Sequence, residues 1–321
     1  MTAIATPTGR DGQRELATKA SAQVPWRRLA WVTWRQHRAA LTWTLLLSAV
    51  ITAEMAVTGS QPPVARPTGL GGTVLLLQAI PLLLGVFLGA PLLARETENG
   101  TARLTWTQYA SRTRWFLAKA VPIAALLAIA AVGVGFEFGW WVSSFRFPAD
   151  SWPPETFNLQ PLPFAGWVTL GFSLGVFLGA VVRRTVPAMA ATLAGYAGLL
   201  YMTTAFWRMS YLPPLHRPVH VHISAGGGYG YGYGAAWRGP HAATPDVLGS
   251  SLGWPDGRLL SNAQISHHSS DWFGLHHIQL WITYQPASRY GLFQHIEFGW
   301  LIALSGILIT ATAVLIRRRA A

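Results

Sequence analysis

Three glutamates stand inside or at the edge of long apolar runs: Glu54, Glu137 and Glu297. A carboxylate at membrane depth is costly, and is kept where it meets a cation, moves a proton or lines a polar path. All three fall near one end of their runs, where water or an arginine can satisfy them, and they are the candidates for a substrate pathway. A second acidic pair, Glu96 and Glu98, lies with Arg95, Arg103, Arg112 and Arg114 in the polar stretch Ala94–Trp115. That mixture suits docking rather than bond-breaking. The third group is the histidines, all but His37 falling between His216 and His295. His216-x-x-x-His220-x-His222, followed by the pairs His267-His268 and His276-His277, invites a metal reading. The spacing fits no defined metal motif, and Pro218 opposes a helix that would set His216 beside His220. Solvated loop histidines are expected, and no metal site.

Other chemistries are excluded by what the chain lacks. With no cysteine, disulfides, thiolate ligands and cysteine nucleophiles are ruled out. A Walker A loop needs Gly-x-x-x-x-Gly-Lys-Ser/Thr, yet the only lysines, Lys19 and Lys119, are each followed by alanine. Neither the H-E-x-x-H nor the G-x-S-x-G signature occurs. The chain is therefore not expected to be an enzyme.

The elements that must position these residues are membrane spans. The sequence is 51% hydrophobic and 11% charged with a mean hydropathy of +0.30, against about 25% charged in soluble domains. A formal charge of +12 could suggest nucleic acid. Here the arginines cluster at the ends of apolar runs instead, so no nucleic-acid partner is expected. Six runs approach the ~20 residues needed to cross a bilayer: Ala39–Thr58, Gly71–Leu93, Phe116–Trp141, Phe164–Val182, Val186–Trp207 and Ile296–Ile316. Most Lys and Arg fall in the segments that share a side with the N-terminus, which by the positive-inside rule puts both termini in the cytoplasm. Expected, then, is an all-α integral membrane protein of the cell membrane with six transmembrane helices. Residues 1–24 read as a disordered cytoplasmic tail. The Trp- and Arg-rich segment 25–38 reads as an interfacial helix. The transmembrane domain occupies 39–321, with a large outer loop over 208–294. Within that loop, Gly226–Gly234 is low-complexity, and Leu280–Gln294 reads as ordered and packed back on the membrane surface.

The second and fourth runs repeat one heptapeptide, Leu-Gly-Val-Phe-Leu-Gly-Ala, at Leu84–Ala90 and Leu174–Ala180. Glycines four apart (Gly85 and Gly89; Gly171, Gly175 and Gly179) let helix backbones approach where lipid gives no hydrophobic drive. Close packing is expected within the bundle or across a dimer interface. Pro81 and Pro91 flank the first copy and can kink it. In the connector, Asn99-Gly100 makes a turn, Thr101 caps a short helix through about Gln108, and Ser111 caps the next span. A polar helix held at the surface between two spans is a handle for another molecule to push.

These residues together resemble the membrane subunit of type-2 ABC transporters, in particular the small actinobacterial-like permeases. Four matches carry the resemblance. PWRRLAWVTWRQHR is similar to their elbow helix, GAPLLARETENGTARLTWTQYASRTRW to their connector after the second span, and YQPASRYGLFQHIEFG to the approach to their last span. The layout with both ends inside is the fourth. The His- and Gly-rich loop departs from the pattern. The resemblance implies that the connector 94–115 is a coupling helix docking on a separate cytoplasmic ATPase. Glu96, Glu98, Gly100 and Thr101 would form the docking core, with Gln108 and Arg112 beside it. It implies two permease copies, a homodimer, with two ATPase subunits that carry the ATP and Mg; with no binding-protein dock evident, transport is expected in the export direction. Two other functions stay open: an anchor or sensor presenting the outer loop, and an ion-coupled carrier using Glu54, Glu137 or Glu297.

Overall fold

Helix boundaries in the computed structural model follow the proline and glycine punctuation of the sequence. The structure describes residues 42, 46, 49–57, 70–98, 112–143, 154–219, 246–267, 272 and 275–318. The expected tail 1–24, interfacial helix 25–38, connector centre 99–111 and Gly/Tyr-rich segment lie outside them. A first helix, α1, runs through 49–57. α2 (Leu70–Leu84), a π-helical turn (Gly85–Gly89) and α3 (Ala90–Glu98) form one continuous rod. α4 spans Arg112–Ser143, α5 Pro161–Val182, α6 Thr185–Met202 and α8 Tyr290–Arg318, while the short α7 covers Asn262–His267. Among the described residues five helices are long and apolar enough to cross a membrane: Gly72–Glu98, Thr113–Ser143, Pro161–Val182, Thr185–Ser210 and Tyr290–Arg318. The sixth expected span, Ala39–Thr58, is described only in part.

The all-α expectation needs correction, because the fold is mostly helical with a small sheet. Strands β1 (Leu215–Val219), β2 (Asp246–Gly253) and β3 (Gln279–Gln285) form an antiparallel sheet in the order β1-β3-β2. β3 reads Gln-Leu-Trp-Ile-Thr-Tyr-Gln, rich in the β-branched and aromatic residues that favour strands, and its Ile282 is buried. Pro218 sits in β1, an edge strand, where its missing N–H does no harm.

α5 is the central element. It packs on α2, the π-turn, α3, α4, α6 and α8, and it is far more buried than α6. Its N-terminus is set by Pro161 at the first helical position after Gln160. Its C-terminus is set by Arg183 in the left-handed region (φ 62°), whose N–H donates to the Gly179 carbonyl. Arg184 then turns to extended backbone and α6 begins at Thr185.

The two heptapeptide copies face each other inside one chain. A Cβ on Gly85 would lie 2.5 Å from the Gly171 carbonyl oxygen, and one on Gly89 would lie 2.6 Å from that of Phe172. Cβ atoms on Gly171, Gly175 and Gly179 would collide with the carbonyls of Pro81, Gly85 and Ala90. This is backbone on backbone, a contact only glycine allows. The same seven residues take two conformations: the copy in α5 is α-helical throughout, while Gly85–Gly89 is π-helical. The copies differ in the residue after the final alanine, Pro91 in one and Val181 in the other. A proline N cannot donate to the preceding turn and its ring crowds the carbonyl four residues back, which is Phe87 here. A wider turn relieves that crowding, and the Ala90 N–H donates to the Gly85 carbonyl.

A methyl added at this seam must push two backbones apart. Gly175→Ala is expected to destabilise the fold by about 1–3 kcal/mol. Gly139→Ala on α4, where a Cβ meets nothing within 4 Å, should be neutral or stabilising by up to about 1 kcal/mol. Thermal unfolding in detergent with size-exclusion readout compares the two.

Candidate functional site

The polar chemistry gathers at the two ends of the bundle. At the end carrying the sheet, Glu297 of α8 is fully buried and Arg208, in a 3-10 turn after α6, is 7% exposed. The Arg208 Nε donates to Glu297 Oε2 at 3.0 Å and Nη2 to Oε1 at 2.8 Å. This two-pronged geometry matches a guanidinium to a carboxylate. The Trp167 indole N–H of α5 donates to Oε1 at 2.9 Å, and the Tyr211 hydroxyl to Oε2 at 3.2 Å. Trp300 in turn donates to the Tyr211 oxygen at 2.9 Å. Arg208 also donates to the Asn158 side-chain carbonyl and lies over the Phe157 ring, 4.1 Å from its centroid. Burial, with the Glu297 charge adding to it, pushes the Tyr211 hydroxyl well above the usual phenol range, so it remains a donor. The network ties together α5, the end of α6, α8 and the 3-10 turn Pro154–Leu159.

The sheet is fastened to the same place. Gln285, at the end of β3, donates to the carbonyls of Met209 at 3.1 Å and Leu212 at 2.7 Å. Arg289 donates to the Pro213 carbonyl at 2.8 Å and to Gln285 Oε1 at 3.0 Å. The two strands of chain entering and leaving the sheet region are thereby held side by side. Farther out, the His276 ring stacks on Trp272 at 4.1 Å, and His216 Nδ1 lies 3.0 Å from the Thr283 hydroxyl. Among the described residues, no group of three or more His, Asp or Glu is placed to hold a metal. His220, His222 and His268 lie outside them.

At the opposite end, α3 carries Glu96 and Glu98 on its last turn, so the helix continues farther into the expected connector than the apolar run alone implies. Glu96 accepts from Lys119 Nζ of α4 at 2.6 Å. The lysine is buried, and its ammonium lies 5.4 Å from the Trp115 ring centroid. Glu98 Oε2 accepts from the Thr185 backbone N–H at 3.0 Å and from its hydroxyl at 2.6 Å. It thus caps α6 from a residue 87 positions away. The Thr97 hydroxyl reaches the Arg183 carbonyl at 3.3 Å. Gly100, Thr101 and Gln108 lie outside the described residues. Arg112 opens α4, and its side chain is not described.

The three candidate acids are separate in kind. Glu297 is the centre of the buried network. Glu137 of α4 is half-buried and accepts from the Thr52 hydroxyl of α1 at 2.7 Å. Glu54 is exposed on α1. Sequence reading singled out Glu297 but not its partners Arg208, Trp167 and Tyr211, nor Asn158, which accepts from Arg208. The available signal was an arginine at the end of the preceding span, at the depth where Glu297 enters the next.

Residues 59–208 match the family described as ABC-2 membrane transporter related. No match was found among curated proteins or among solved structures.

Removing one partner of a buried ion pair leaves an uncompensated charge. Glu297→Gln is expected to destabilise the protein by about 3–5 kcal/mol. The paired replacement Glu297→Leu with Arg208→Met should cost less than Glu297→Gln alone. Thermal unfolding of the three proteins in one detergent decides it, and a pair costing as much as the single change would contradict the assignment.

Proposed function

We propose that this chain, an ABC-2-related membrane protein over residues 59–208, is the permease subunit of an ATP-driven transporter working in the export direction. The observation that carries the reading is the anchoring of the connector's N-terminal edge, the last turn of α3. Glu96 binds Lys119 of the next span, and Glu98 binds the start of α6. A polar segment whose entry is fastened to two neighbouring helices can convert a push into helix tilt, the kind of rigid-element movement that switches access.

In this reading the connector lies in the cytoplasm with both termini. The segment 99–111 docks on a separate ATPase, which carries the ATP and Mg, since no Walker A loop occurs in this sequence. Gly100, Thr101 and Gln108 supply the contact, with Arg112 at its edge and Glu96 and Glu98 bracing it from the bundle. Two copies of this chain and two ATPases form the working unit. Glu54 and Glu137 are candidates for the pathway. An ion-coupled carrier based on Glu297 fits less well, because both oxygens of that carboxylate are already taken up by donors from Arg208, Trp167 and Tyr211.

The test uses the full chain in lipid nanodiscs with the P-loop ATPase that co-purifies with it. Adding the chain should change the ATP turnover of that subunit. Replacing residues 99–108 by a Gly/Ser segment of equal length should abolish both co-purification and the change while the bundle stays folded. Unaltered binding in the replaced chain would overturn the docking assignment.

A further inference from the structure

We infer that Glu98 is a positioning residue that links the end of α3 to the start of α6, so that a displacement of the connector is delivered to two spans at once. The inference rests on the permease reading and adds a route to it. Glu98 is exposed, as a docking residue would be, but its Oε2 is already committed to two donors of Thr185. A carboxylate at a helix N-terminus meets unsatisfied N–H groups and the positive end of the helix dipole. α6 has no cap of its own: its N-cap residue is Arg184, whose side chain makes no capping hydrogen bond. The cap is therefore supplied by another span, which makes it a joint as well as a cap.

The surrounding contacts give that joint its mechanical meaning. Next to it, α3 meets α6 through Ala90, Ala94 and Ala188, all buried, with Val182 and Met189 beside them. Such small side chains allow close approach but few interlocking ridges, so they bring the helices together without fixing their register. Register is fixed by directional bonds, the two that the Thr185 N–H and hydroxyl donate to Glu98. Arg183 sits in the left-handed turn that joins α5 to α6. α3 also lies just past the π-turn, so the joint is carried by the segment on the connector side of the wide turn.

The experiment separates a link from a simple cap. The sequence has no cysteine, so spin labels at Arg95→Cys and Val186→Cys report the α3–α6 distance in the full chain in nanodiscs. The parent should give one narrow distance peak, and Glu98→Ala should lose it. Adding Arg184→Asn gives α6 a local cap, which should return the unfolding temperature to the parent value but not the narrow peak. With the ATPase present, that double variant should still co-purify with it but stimulate it no more than an empty nanodisc does. The inference is overturned if the narrow peak survives Glu98→Ala, or if Arg184→Asn restores it. It is equally overturned if Glu98→Ala abolishes ATPase binding, which would make Glu98 a docking contact. If the parent binds no ATPase, the permease reading fails, and the distance measurement alone still decides whether the link exists.

Discussion

The rest of the structure depends on one close approach, between the backbone of α5 and the rod made by α2, the π-turn and α3. In lipid, apolar side chains gain nothing by leaving their surroundings, so helix association depends on packing and backbone proximity. Glycine supplies both here, on each side of the seam. The seam places α5 at the centre, and α4, α6 and α8 arrange themselves around it. It also puts the π-turn against the most buried helix of the bundle, where a local widening can change how the two halves of the rod are set relative to each other.

Polar groups then work at the ends of this apolar body, with opposite characters. At the sheet end, five side chains surround one ion pair that is nearly or wholly buried, an arrangement that specifies a single geometry and resists change. At the other end, the contacts differ in burial: Glu98 is exposed, while Glu96 is partly exposed and its partner Lys119 is buried. The exposed contact of Glu98 with Thr185 can be remade at small cost, whereas the buried Lys119 needs Glu96 as its partner.

Much of the helical framework was legible because apolar runs of span length, punctuated by proline and glycine, leave few alternatives. The paired glycines were visible as a repeat, though whether they met inside one chain or between two depended on three-dimensional placement. The sheet was not legible as a sheet. β1 is short and holds a proline, β2 carries glycine and serine through its length, and only β3 has a strong strand composition. The partners of Glu297 were hidden by sequence distance, since Arg208 is 89 residues away and Trp167 130. The role of Glu98 was hidden for another reason: a helix cap from a distant span has no local pattern, and the natural place to look, Arg184, carries no capping side chain.

The account stands or falls on which side of the membrane the connector faces, because ATP is hydrolysed in the cytoplasm. In this cysteine-free chain, Arg95→Cys and Asp256→Cys, both at exposed positions, can be probed in intact cells with a membrane-impermeant maleimide. The account predicts that residue 256 is labelled from outside, and residue 95 only after the membrane is permeabilised. Labelling of residue 95 in intact cells, with residue 256 protected, would contradict it.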